Sequence, residues 1–171
     1  MGKVAKRLLT AEEFMKMPDP KDGSQQELLR GEIITMPPPQ GEHGYLLIHV
    51  SYLLKSFVEP RKLGWVCGGD VGAILARDPD TLRGIDVAFW SIKRQKTRPK
   101  TYMIPPDLAI EVLSPNWRRK LILDKVHDYI EAGVKLVWFI EPKARTVTVY
   151  AGSQKGIVYE ENDDISGGTV S

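Results

Sequence analysis

The sequence predicts an α/β fold, a mixed β-sheet flanked by helices. Three observations predict it. Two stretches, 43–59 and 116–132, repeat apolar residues at helical spacing. Short apolar runs lie between and after them, one apolar on both faces and another alternating. The resulting order is helix, strands, helix, strands, in which the helices cover the sheet. With 171 residues, 42% of them hydrophobic, the chain reads as one domain over residues 1–171 with an apolar core of its own.

The elements follow in order. Thr10 with Glu13 three residues on predicts a capping box and a short helix, which Pro18 and Pro20 end. Residues 26–36 predict two short strands joined at Arg30-Gly31, and the Pro37-Pro38-Pro39 run breaks the pattern. From about His43 to Glu59, a stripe of Leu46, Leu47, Val50, Leu53, Leu54, Phe57 and Val58 predicts a buried helix face. Trp65 to Leu75 reads as a strand interrupted at Gly68-Gly69. The Ile85 and Leu108 strands follow, separated by a basic, Pro-containing loop. Asn116 is placed to cap a second helix, with Ile122, Val126, Tyr129 and Ile130 inward and Gly133 as its C-terminal cap. Val134 to Ile140 predicts a central strand and Arg145 to Tyr150 an edge strand.

Charge is nearly balanced, with 24 basic and 22 acidic residues and a net charge of +2. Such a balance announces no partner by itself, so charge must be read locally. Cys67 is the only cysteine, which excludes an intramolecular disulfide and a Cys-based zinc cluster and favours a cytoplasmic location. The basic N-terminus lacks the apolar run of a signal peptide, and no stretch is long enough to span a membrane. The polar, Gly-rich end from about residue 160 reads as truncated or disordered.

Two carboxylates stand on apolar strands. Asp86 lies among Ile85, Val87, Ala88 and Phe89, and Glu111 among Ala109, Ile110, Val112 and Leu113. A carboxylate is costly to bury unless it is paired or binds a metal. Strand alternation puts Asp86 on a face with Ala88, and Glu111 on a face with Ala109. Small neighbours leave room for an ion and a substrate, and oxygen donors of this kind suit Mg²⁺ or Mn²⁺. Lys125, at the margin of the second helix's buried stripe, is the third candidate. Its ammonium can neutralise the pair, or orient or activate a water.

In this order the residues resemble the PD-(D/E)XK nuclease superfamily, in particular a restriction-endonuclease branch long catalogued as a domain of unknown function. The resemblance is carried by Ile85-Asp86-Val-Ala-Phe, Pro106-Asp-Leu…Glu111-Val-Leu-Ser-Pro115 and Lys125…Tyr129…Ala132-Gly-Val134. Val137-Trp…Ile140-Glu-Pro142 and Thr146-Val-Thr-Val-Tyr150 extend it, and Glu27-Leu…Gly31-Glu-Ile and Glu42-His43-Gly44 fit as well. It departs at Leu113, where the superfamily usually has its lysine; in this branch the lysine lies on the following helix, which points to Lys125.

The resemblance implies a restriction-endonuclease-like fold and a Mg²⁺-dependent DNA endonuclease. Asp86 and Glu111 would be the metal ligands, Lys125 would position or deprotonate water, and Glu42 would be an outer ligand through water. A homodimer is a further expectation. A nuclease fold that binds DNA or protein without cutting is the alternative. A glycosidase is less suited, because only Trp90 offers an aromatic wall near the two acids. His43 and His49 read as surface or core histidines, and Asp107 as a strand-entry residue. The basic groups at 93–100 and 118–120 flank the acids in sequence, where they would suit phosphate contacts.

Overall fold

The computed structural model describes residues 7–99, 104–114, 119–153 and 155–165. The N-terminal helix α1 (Ala11–Phe14) starts with the expected capping box: the Thr10 hydroxyl accepts from Glu13 N, and the Glu13 carboxylate accepts from Thr10 N. Strands β1 (Gln25–Leu29) and β2 (Glu32–Met36) form a hairpin, with Arg30 and Gly31 both at positive φ. Helix α2 (Gly41–Val58) leads into β3 (Gly64–Ala76) and β4 (Thr81–Ser91). Strand β5 (Leu108–Val112) precedes helix α3 (Arg119–Glu131), followed by β6 (Leu136–Glu141), β7 (Thr146–Ala151) and β8 (Ile157–Tyr159). Gly133, at φ 81°, ends α3; its N–H reaches Ile130 O and the Val134 N–H reaches Tyr129 O. The Asn116 cap lies outside the described residues.

All eight strands join one sheet in the order β2-β1-β4-β5-β6-β7-β8, with β3 also on β4. The pairing is antiparallel except between β5 and β6, so the sheet is mixed as predicted. Strand β4 is where the sheet forks. On one edge it pairs with β3 from Thr81 to Ser91, with a bulge in β3 opposite Asp86. On the other edge β1 meets it at Leu82, and β5 meets it from Val87 to Phe89. Residues 83–86 therefore face a gap between β1 and β5.

Both faces of the sheet are covered. Val87, Phe89, Leu108 and Ile110 pack with Leu47, Val50, Leu54 and Val58 of α2. Ala88, Trp90, Ala109 and Leu113 pack with Val126 and Tyr129 of α3. Two expectations are corrected. The α2 stripe is narrower than its sequence, since Leu53 and Phe57 are more than half exposed. That helix is apolar almost all round, whereas the sheet covers one side only. Strand β7 is not the edge, because the short β8 adds beyond it.

Candidate active site

The fork in the sheet builds the site. Where β1 and β5 diverge, β4 edge groups lose strand partners and side chains replace them. Gly84 N donates to Glu27 Oε1 at 3.2 Å, and Gly84 O accepts from Lys125 Nζ at 3.3 Å. Asp86 Oδ2 accepts from Val112 N at 2.7 Å, which ties β4 to the end of β5. Asp86 Oδ1 lies 3.1 Å from His43 Nε2, near the start of α2. The four side chains Glu27, Asp70, Asp86 and Glu111, with His43 and Lys125, line one pocket of about 180 Å³.

Lys125 is buried, with Nζ 2.9 Å from Glu111 Oε2 and 3.1 Å from Glu27 Oε1. The Tyr129 hydroxyl, one helical turn on, donates to Glu111 Oε1. Glu27 Oε2 takes a 2.8 Å bond from Arg83, whose guanidinium also holds Asp128. One chain of charges thus runs from Glu111 through Lys125, Glu27 and Arg83 to Asp128. The alanines have a different use from the expected one. Ala88 and Ala109 are cross-strand partners with no exposure, so they open no space for an ion. They let α3 approach the sheet closely enough for Lys125 and Tyr129 to reach Glu111.

The electrostatics record a surplus of negative charge. Burial pushes the Glu111 carboxyl up to about 7; Lys125 opposes this, and Asp86 and Glu27 add to it. Burial, with Asp86 second, raises Asp70 to about 6. Burial would also raise Glu27, but Lys125 and Arg83 outweigh it and hold that carboxyl below its ordinary value. The bond to Asp86 raises the His43 imidazole, against a smaller desolvation effect. Burial acts to lower Lys125, yet Glu111 and Glu27 dominate and hold it above the usual lysine range. Lys125 is therefore an ammonium that offsets the charge of the acids, with its three donors directed at Glu111, Glu27 and Gly84 O.

Of the predicted residues, Asp86, Glu111 and Lys125 come together. Glu42 does not join them: it is exposed and lines a neighbouring groove with Ser114, Glu141 and Lys143. Asp107 is a clamp at the strand entry, bonded to Ser91 N and paired with Arg94 and Lys135. Arg94 also donates to Pro105 O and Gly133 O, so this member of the basic loop is structural. Trp90 is fully buried and forms no sugar-binding wall. Sequence reading gives Glu27, Asp70 and Tyr129 no place in the site and takes His43 for a surface or core histidine, whereas the structure sets His43 on Asp86 and Tyr129 on Glu111. A signal existed for Asp70: the Gly68-Gly69 break is a β-bulge, with Gly69 and Asp70 at positive φ, and bulges re-aim side chains beside active sites.

Carboxylates outnumber the buried cations that face them, which fits a divalent metal. Among the described residues no three His, Cys, Asp or Glu side chains are gathered as a ready-made metal cluster. Mg²⁺ does not require one, because it is commonly held by one or two carboxylates and completed by water and phosphate oxygens.

A mixed sheet with a carboxylate pair and a helix-borne lysine at its fork defines a protein of the restriction-endonuclease-like class. The chain belongs to the Uma2 family, described as "Putative restriction endonuclease", whose model matches residues 11–169. Among solved structures it is similar to one described as a putative nuclease belonging to DUF820 from Anabaena variabilis ATCC 29413. The TM-score is 0.78 at 24% identity, over 92% of this chain and 88% of that one. That likeness carries the fold. No curated protein matches the chain. Among the described residues no helix is long and apolar enough to cross a membrane.

Proposed function

We propose that the chain is a Mg²⁺-dependent DNA endonuclease, with Mn²⁺ as a substitute ion, acting in the cytoplasm. The observation that carries the reading is the meeting of Asp86, Glu111 and Lys125 in one pocket. Family membership supports phosphodiester hydrolysis as the chemistry. Asp86 and Glu111 would hold the ion, which when bound lowers the pKa of a water and offsets charge on the phosphate. Lys125 would stabilise the acids before the ion arrives, and would orient the attacking water by giving up one of its bonds to Glu111, Glu27 or Gly84 O. His43 and Val112 N fix the Asp86 carboxylate, and Tyr129 fixes Glu111.

The test is nicking of supercoiled plasmid with Mg²⁺ or Mn²⁺. Nicking that survives Asp86→Ala would remove the assignment. One observation favours the alternative of a binding module without hydrolysis: both Glu111 oxygens are already held by protein donors. That reading predicts DNA or protein binding with no cleavage and no calorimetric signal for Mg²⁺. Action as a homodimer is part of the main reading, and sedimentation across a concentration series checks it.

A further inference from the structure

A second groove, of about 400 Å³, opens from the carboxylate pocket; Gln25, Glu27, Met36 and Asp70 line both. Its volume is within the range of small-molecule sites. Gly72 of β3 and Gly84 of β4, cross-strand partners, lie on its floor, where the Asp70 carboxylate covers Gly84. Part of its wall comes from Phe14, Met15 and Met17, at and just beyond the end of α1. An aromatic and thioether wall facing a carboxylate suits a planar ring that carries N–H donors.

The charge says which part of a nucleic acid would enter. Asp19, Glu27 and Asp70 line the groove, and no Lys or Arg does so among the described residues. A phosphate would be repelled there. A base with an exocyclic amine would find acceptors in Asp19 and Asp70, since carboxylates accept from such N–H groups, whereas both Glu27 oxygens are taken by Lys125 and Arg83. We propose that this groove receives one unpaired nucleobase, adenine, cytosine or guanine, beside the phosphate being cut. The proposal rests on the nucleic-acid reading above and narrows it. Extruding a paired base costs free energy that an unpaired one does not, so the enzyme favours bulged or single-stranded positions.

The test compares two oligonucleotide duplexes, one fully paired and one with a single bulged adenine, by anisotropy with Ca²⁺ in place of Mg²⁺. The bulged duplex is expected to bind about tenfold more tightly. Met17 is 41% exposed, so it can be replaced without disturbing the core. Met17→Trp fills the groove and should abolish the preference, leaving paired-duplex affinity within about twofold. Met17→Ala, which only removes wall contact, should reduce the preference about threefold. Circular dichroism verifies that both variants fold. Equal affinity for the two duplexes, or a preference that survives Met17→Trp, overturns the groove while leaving the nuclease reading intact. Binding of neither duplex overturns both.

Discussion

Lys125 Nζ lies 2.9 Å from Glu111 Oε2, and both side chains are almost completely buried. The same ammonium lies 3.1 Å from Glu27 Oε1. One cation thus holds two acids from strands that are not neighbours, β1 and β5, across the fork where β4 lacks strand partners. It closes the fork and prepares the pocket at once.

Removing this ammonium leaves two buried carboxylates without their shared partner. Breaking a buried pair in this way costs about 3–5 kcal/mol. Lys125→Met should lose stability of that order in urea unfolding, and Glu111→Gln added to it should restore part of the loss. A loss below about 1 kcal/mol would mean that the acids relax into water and that the pair is not structural.

Stability should also depend on pH in a definite direction. Glu111 rises from 4.5 to about 7 on folding, and Asp70 from 3.8 to about 6. Between the unfolded and folded values the native state holds the extra protons, so stability falls as pH rises from about 4 to about 7. His43 has the same sign: its folded pKa is raised above 6.5, and its contribution is lost as pH rises through that folded value. Glu27 opposes them only at acid pH, since its lowered pKa gives stability that is lost as pH falls through its folded value. The melting temperature should therefore decline from pH 5.5 to pH 8. Mg²⁺ should reverse part of the decline by binding the ionised carboxylates. A melting temperature that is flat with pH and unmoved by Mg²⁺ would contradict both the surplus of negative charge and the metal assignment.

Strand period two and helix period 3.6 put Asp86, Glu111 and Lys125 on or beside buried faces, and the family resemblance singles out the lysine, but the adjacency of β4 and β5 that brings the acids together is seen only in the structure. The other site residues depend on contacts that local pattern does not encode. Glu27 sits in a short strand that is polar at its start, and only the Arg83 and Lys125 partners, 56 and 98 positions on, explain its burial. His43 reaches Asp86 because the start of α2 lies against the end of β5, where Gln40 and His43 line a small cavity with Val112 and Leu113. The excess width read into the α2 stripe has a related cause: an apolar sequence shows that a side chain can be buried, whereas the sheet decides whether it is. The fork itself, a property of three strands together, is invisible in any one of them.

Gly64 tests the packing beneath the sheet. A Cβ built there would lie 1.9 Å from Trp90 O and 2.9 Å from the Phe89 ring. The first contact is backbone within the β3–β4 ladder, where Gly64 pairs with Ser91, so it cannot swing aside. Gly64→Ala should cost about 3 kcal/mol or more in chemical denaturation, at the upper end of overpacking effects. Gly41→Ala, with open space around its Cβ and a helical position, should be neutral or stabilising by about 0.5–1 kcal/mol. Equal behaviour of the two variants would show that the strand pair yields more readily than its register implies.

Three substitutions separate the roles at the site. If Asp86 binds the ion as proposed, Asp86→Ala should reduce metal-dependent nicking at least about a hundredfold. His43→Ala keeps the proposed ligand Asp86 but removes the partner of its Oδ1, so Mg²⁺ affinity measured by calorimetry should weaken about tenfold to a hundredfold. In that variant saturating metal should recover most of the rate, a rescue that Asp86→Ala cannot show. Glu42→Ala should change nicking less than about threefold, because its side chain lines the adjacent groove with Glu141 and Lys143 rather than the carboxylate pocket. If Glu42→Ala proves as damaging as Asp86→Ala, the start of α2 must move on metal binding to bring Glu42 into the ion's outer sphere. The arrangement around Asp86 would then be a resting state rather than the working one.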